Sequence, residues 1–170
     1  MVVLNLGYTA PINRPGDEPV LTRAQVWAGL EHKVRRAEKF VSAITACEVL
    51  SEDKSGGEEH VITRRATFKP GVNPAGRDVV TEVCHLHAPC RVDFVQEDGT
   101  TIGNYVTQGP TGQPEDLHMT YVFQWKVPQV EAGSEQAKEI EAKFQKMAKL
   151  AVESSIETIR GIATGKVIID

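Results

Sequence analysis

An α+β fold is predicted for this chain: a curved seven-stranded antiparallel sheet around one long C-terminal helix, with one or two short helices after the first strand. Two observations carry most of this. The segment Leu117-His118-Met119-Thr120-Tyr121-Val122-Phe123-Gln124-Trp125-Lys126-Val127 alternates, which puts Leu117, Met119, Tyr121, Phe123, Trp125 and Val127 on one face of a strand. It is followed by an amphipathic stretch from about Ser134 to Ile162, long enough to cover that aromatic face. A third observation is the run of short strand-like segments, broken by turn chemistry, between residues 44 and 127.

The elements follow in order. Val2 to Ile12 reads as a first strand with Val2, Leu4, Leu6, Tyr8 and Ala10 on one face. Asn13-Arg14-Pro15-Gly16-Asp17 is a turn. Thr22-Arg23-Ala24-Gln25 fits a capping box, opening a helix with Val26, Trp27, Leu30 and Val34 at helical spacing. A short second helical piece is expected around Glu38 to Ile44. Strands are expected at Ile44–Ser51, His60–Lys69, Asp78–His87, Arg91–Gln96, Thr101–Gln108 and Leu117–Val127. Between them lie Lys54-Ser55-Gly56-Gly57, residues 70–76, Ala88-Pro89, Asp98-Gly99 and Gly109-Pro110-Thr111-Gly112. Such short connections imply antiparallel neighbours, and Asp98-Gly99 is a strong hairpin signal. In the last helix Ser134 is the N-cap, and Ile140, Phe144, Met147 and Ala151 form a stripe beside Ala148, Val152, Ile156 and Ile159. Strand, helix, six strands, long helix is the helix-grip order.

With 170 residues, 41% hydrophobic content and 25% charged content, the chain reads as one globular domain over 1–170. The net charge of −4 argues against nucleic acid as a partner. The basic cluster Lys33, Arg35, Arg36 and Lys39 reads as a solvated helix face. No apolar run is long enough for a membrane span, and the first residues lack a basic leader. Three cysteines, an odd count, fit a reducing compartment, so a cytoplasmic location is expected; the sequence leaves monomer or homodimer open. Phosphate-binding loops, nucleophile elbows and HExxH are missing from the sequence.

Several phrases then resemble the AtaL-like family, within the START and birch-pollen-allergen-like (SRPBCC) superfamily. They are Thr22-Arg23-Ala24-Gln25-Val26-Trp27, Val92-Asp93-Phe94, Asp98-Gly99, Leu117 through Trp125, and Met147 through Ile156. The likeness spans almost the whole chain. These are structural phrases, so they imply the helix-grip fold far more than an activity. The resemblance further implies a hydrophobic small-molecule partner held in an internal cavity. Relatives in the superfamily bind sterols, lipids and phenolics, or act as polyketide cyclases with no metal or redox cofactor, so no cofactor is expected here. Some fungal family members sit in specialised-metabolite pathways. One departure is visible: the allergen-like relatives carry a dense glycine-rich loop after their second strand, where this chain has only Gly56-Gly57.

The sharpest polar cluster is Cys84-His85-Leu86-His87-Ala88-Pro89-Cys90. Two histidines at i, i+2 share a strand face, a spacing that can bind zinc, but no third ligand has matching spacing and no metal is expected. If Ala88-Pro89 and Asp98-Gly99 are both two-residue connections, His85 opposes Val92, and Val92 opposes Tyr105. One face then holds Val83, His85, His87, Val92, Phe94 and Tyr105. The other holds Glu82, Cys84, Leu86, Arg91, Asp93, Val95, Ile102, Asn104 and Val106. The charged residues on the second favour the first as the inner face, and a bulge in either hairpin would alter the assignment.

On the first reading His85 and His87 enter a cavity lined by Phe94, Tyr105, Met119, Tyr121, Phe123, Trp125 and Met147, where a histidine could serve as acid or base. On the second, Glu82 enters and can pair with Arg64, which shares a face with Ile62, Ala66 and Phe68. Such a pair could hold a carboxylate or enolate, or be purely structural. Tyr121 offers a hydroxyl to orient a carbonyl or phenol. The expected activity is a cofactor-free cyclase, isomerase or lyase in specialised metabolism, on a polyketide-like or indolic substrate, with His85, Tyr121, Arg64 and Glu82 as candidate catalytic groups. The alternative is a carrier that uses the same pocket without chemistry.

Overall fold

The computed structural model describes residues 1–54 and 59–169; the expected Gly56-Gly57 turn lies outside the described residues. The strands are β1 (Val2–Pro11), β2 (Ile44–Asp53), β3 (His60–Phe68), β4 (Val79–His87), β5 (Arg91–Gln96), β6 (Thr101–Gln108) and β7 (Leu117–Val127). The helices are α1 (Arg23–Arg35) and α2 (Glu135–Ala163). The strands form one seven-stranded sheet in the order β1-β7-β6-β5-β4-β3-β2, every neighbouring pair antiparallel. Curvature between the β2 edge and the β1 edge leaves a concave inner face, on which α1 and α2 sit. The expected helical piece at Glu38 to Ile44 is instead a single 3-10 turn at Ala37–Lys39. Among the described residues no helix is long and apolar enough to cross a membrane.

Both helices start where the sequence dictates. Thr22 accepts a hydrogen bond from the Gln25 backbone N–H, and the Gln25 side chain reaches back to the Thr22 N–H, a complete capping box. Ser134 caps α2 by accepting from Ala137 N–H at 3.1 Å. Tyr121, Phe123, Trp125 and Phe144 make a chain of ring contacts with centroids 6.1–6.4 Å apart, which joins β7 to α2.

The α1–α2 crossing is set by Gly29. A Cβ there would run into the side chain of Ile159. Gly29→Ala is therefore expected to lose about 1–3 kcal/mol through overpacking, against a helix-propensity gain of ~1 kcal/mol. A urea melt checks this, and Ile159→Ala in the same chain, which removes all three clashing atoms, should relieve the overpacking.

Candidate functional site

The inner face is decided by two turns. His87 pairs with Arg91, and Val95 pairs with Thr101. Both connections therefore hold three residues: Ala88-Pro89-Cys90, and Glu97-Asp98-Gly99 followed by a Gln96–Thr100 backbone bond. In the second, Gly99 has φ +80°, the left-handed conformation that ends a three-residue hairpin loop. Each connection is one residue away from the two-residue expectation, and a one-residue change in register exchanges the faces of a strand relative to its partner.

Glu82, Cys84 and Leu86 consequently face inward, with Val92, Phe94 and Gln96 on β5 and Asn104 and Val106 on β6. This corrects the placement of three candidate residues. His85 lies on the outer face, with its Nδ1 2.6 Å from Glu59. His87 is exposed, 3.7 Å from Asp93. Tyr105 is half-buried on the same outer face, opposite Arg91. Met119 does point inward, but it is fully buried in the core and forms no part of the cavity lining. Among the described residues no group of three or more His, Cys, Asp or Glu side chains could hold a metal ion.

The cavity lies between the concave face and α2, with a volume of about 370 Å³. Phe94, Tyr121, Phe123 and Trp125 line it from the sheet, and Phe144, Met147, Ala148 and Ala151 from α2. Arg64 and Glu82 reach its floor, as does Lys33 from α1. The expected Arg64, Glu82, Tyr121, Phe94, Phe123, Trp125 and Met147 are thus brought together.

The floor is a buried polar network. Arg64 Nε donates to Glu82 Oε2 at 2.7 Å, and Arg64 Nη2 lies 2.6 Å from the same oxygen. Gln96 Nε2 donates to Glu82 Oε1 at 2.9 Å. Arg64 Nη1 donates to the carbonyls of Lys33 and Val34, satisfying two acceptors that the end of α1 leaves open. The guanidinium carbon stands 4.7 Å from the Phe94 ring centroid.

The third charged group of the floor, Lys33, is one that the sequence patterning places on a solvated helix face. It is 6% exposed, and its Nζ donates to Asn104 Oδ1 at 2.6 Å, 4.1 Å from the Tyr121 ring centroid. Among the described residues it bonds this neutral amide and no carboxylate. Burial, and then the Arg64 charge, push its pKa down to about 7, with Glu82 and Cys84 opposing. A signal was present: Val26, Gly29, Leu30, Lys33 and Val34 are the buried residues of α1, spaced i, i+3, i+4, i+7, i+8. Lys33 occupies an apolar-stripe position, although its neighbours Arg35 and Arg36 are surface residues.

Among the described residues, three buried polar atoms around this floor have no hydrogen-bond partner within bonding distance: Asn104 Nδ2, Gln96 Oε1 and Tyr121 Oη. Burial raises the Tyr121 pKa, and the nearby Ser155 hydroxyl, which donates to the Ala151 carbonyl, opposes this only in part. Tyr121 is thus a neutral phenol facing the cavity. Cys84, fully buried beside the pair, has its thiol pushed up to about 12 by burial, so it is no nucleophile.

Comparison with known proteins places the fold and the lineage. The family model for AtaL, "Acetylaranotin biosynthesis cluster protein L", matches residues 6–166. The chain belongs to the AtaL family. It is 30% identical over 156 residues to the protein of that name from Aspergillus terreus, covering 92% of this chain and 87% of that one. Among solved structures, the Zhui aromatase/cyclase from Streptomyces sp. R1128 superposes with a TM-score of 0.58 at 12% identity, covering 98% of this chain and 97% of that one. A START superfamily protein from Mycobacterium smegmatis superposes with a TM-score of 0.59 at 8% identity, covering 96% and 99%. The AtaL family member described here therefore has the START-type helix-grip fold that its residues foretold.

Proposed function

We propose that the protein binds an apolar small molecule in the cavity and acts on it as a cyclase, isomerase or lyase of polyketide-like or indolic metabolism, drawing on no cofactor. The observation that carries this is the contrast within the cavity: aromatic and aliphatic walls above a floor holding Lys33, Arg64 and Glu82. Its volume of about 370 Å³ falls in the usual range of ~300–1,000 Å³ for ligand pockets. The walls would fold and desolvate a substrate, and proximity supplies much of the acceleration. The Tyr121 hydroxyl would donate to a substrate oxygen. The positive charge that Lys33 and Arg64 carry over the single Glu82 carboxylate would stabilise a developing enolate. The names of two similar proteins support the reading, one a biosynthesis cluster protein and the other an aromatase/cyclase. A carrier would need only the walls; the buried ionisable floor favours catalysis.

Titration with 2-naphthol in a Trp27→Phe background, where the fluorescence is that of Trp125 alone, tests the cavity directly. Saturable quenching is expected, because Trp125 stacks on Phe123 in the cavity wall. Ala148 lines the same space from α2. Ala148→Phe should weaken binding by ~10-fold or more, a difference of about 1.4 kcal/mol, while the folded far-UV spectrum persists. Quenching that is absent, or indifferent to this substitution, would sink the proposal.

A further inference from the structure

We infer that Lys33 is a covalent catalyst, an amine that condenses with an aldehyde or ketone carbonyl of the substrate to form an imine in the cavity. This rests on the cavity reading above and adds to it the substrate's functional group and the nature of the intermediate. Lys33 reaches the cavity lining, lies against the Tyr121 ring, and keeps one N–H on Asn104 Oδ1. An amine fixed by one hydrogen bond presents a defined direction for its lone pair. Apolar burial beside a second cation is the arrangement that activates an amine as a nucleophile. Arg64 supplies that cation, and its own carboxylate is occupied: Glu82 accepts from Arg64 and Gln96 through both oxygens.

The step balances without an oxidant or reductant. The Nζ lone pair bonds to the carbonyl carbon, and the C=O π pair moves to oxygen. The oxygen takes one proton from nitrogen, giving a carbinolamine. The C–O bond then breaks as the nitrogen lone pair forms C=N, and the oxygen leaves as water with the second amine proton. Protonation of the imine makes an electron sink for an adjacent carbanion, which is what a ring closure, isomerisation or C–C cleavage requires. The neutral Tyr121 hydroxyl, in the lining of the same cavity, would steady the departing oxygen.

Charged and titratable groups come to this amine from three strands: Arg64 on β3, Glu82 and Cys84 on β4, and Tyr121 on β7. From α2, Glu153 and Glu157 line the same cavity. With its pKa pushed down to about 7 by burial and then Arg64, Lys33 has a substantial neutral fraction at neutral pH, whereas a surface lysine of pKa ~10.4 is less than ~0.1% neutral. The test is reductive trapping of 2-naphthaldehyde with cyanoborohydride at pH 7, read by peptide mass mapping, with binding followed in parallel by Trp125 quenching. One adduct on the Lys33 peptide is expected, at least ~10-fold above any other lysine. It should rise through about pH 7 and vanish in Lys33→Met. Saturable quenching with adducts spread over surface lysines, or labelling unchanged in Lys33→Met, would overturn the imine and leave the cavity reading standing. No quenching would overturn both. The pH profile of the wild-type adduct decides the matter even if Lys33→Met folds poorly.

Discussion

Glu82→Leu is expected to lower folding stability by about 3–5 kcal/mol, the cost of leaving a buried partner charge uncompensated. Arg64 and Glu82 are only 4% and 2% exposed, and the guanidinium makes two short contacts to one carboxylate oxygen. Without Glu82 the Arg64 charge stays inside, because Arg64 Nη1 remains tied to the carbonyls of Lys33 and Val34. Gln96 loses its acceptor as well. The double variant Arg64→Met/Glu82→Leu should recover part of the loss, since it removes both charges together. It should not recover all of it, because two carbonyls of α1 are left open, each worth about 1–3 kcal/mol when buried. Urea denaturation of the three proteins measures this. A loss below about 1 kcal/mol for Glu82→Leu would mean that water reaches the pair.

Lys33→Met is expected to do the opposite at neutral pH: it should stabilise the fold while abolishing the trapping of 2-naphthaldehyde. The sign follows from linkage. The folded pKa of Lys33 is about 7, below its unfolded value of ~10.4, so the unfolded chain binds more protons between those limits. Stability from this group therefore rises with pH from about 7 to ~10.4, and below pH 7 the full penalty of burying the ammonium is present. At ~1.4 kcal/mol per tenfold change in proton affinity, that penalty is about 4–5 kcal/mol. Removing the amine leaves Asn104 Oδ1 unpaired, which returns about 1–3 kcal/mol. The net gain should be about 1–4 kcal/mol at pH 6, and it should shrink by about 3 kcal/mol at pH 9. Denaturation midpoints of both proteins across this range would show it. A variant that is less stable at every pH would mean that Lys33 is held for stability and not for function.

The outline of the fold was legible because local chemistry and burial agree. The capping box at Thr22, the Ser134 cap and the alternation of β7 each appear where the residues indicate them. The helical piece expected at Glu38 to Ile44 is shorter and lies earlier, a 3-10 turn at Ala37–Lys39. Most of the site's apolar wall was legible too, since Tyr121, Phe123 and Trp125 alternate on one strand.

Its floor was not, for a specific reason. Which face of β4 looks inward depends on the parity of two turns, and Asp98-Gly99 suits a two-residue loop as well as the last two positions of a three-residue one. One residue at each turn moved His85, His87 and Tyr105 outward and brought Glu82 in. Charge counting misled here: Asp93 and Arg91 do lie on β5, but on its outer side, where they pair with each other. Lys33 was hidden among basic neighbours. Its burial comes from contacts on β6 and β7, 71 residues or more along the chain, which no local pattern reports.

An apolar ligand is expected to enter between β7 and α2, over the floor formed by Lys33, Arg64 and Glu82. The most direct test is two-dimensional NMR of aromatic and methyl groups during titration with 2-naphthol, indole and a hydroxyanthraquinone. The expected result is that at least one of these shifts the signals of Tyr121, Phe123, Trp125, Phe144 and Met147 together, while Tyr105 and the outer-face histidines stay still. Shifts confined to His85, His87 and Tyr105, or no shift with any of the three, would contradict it.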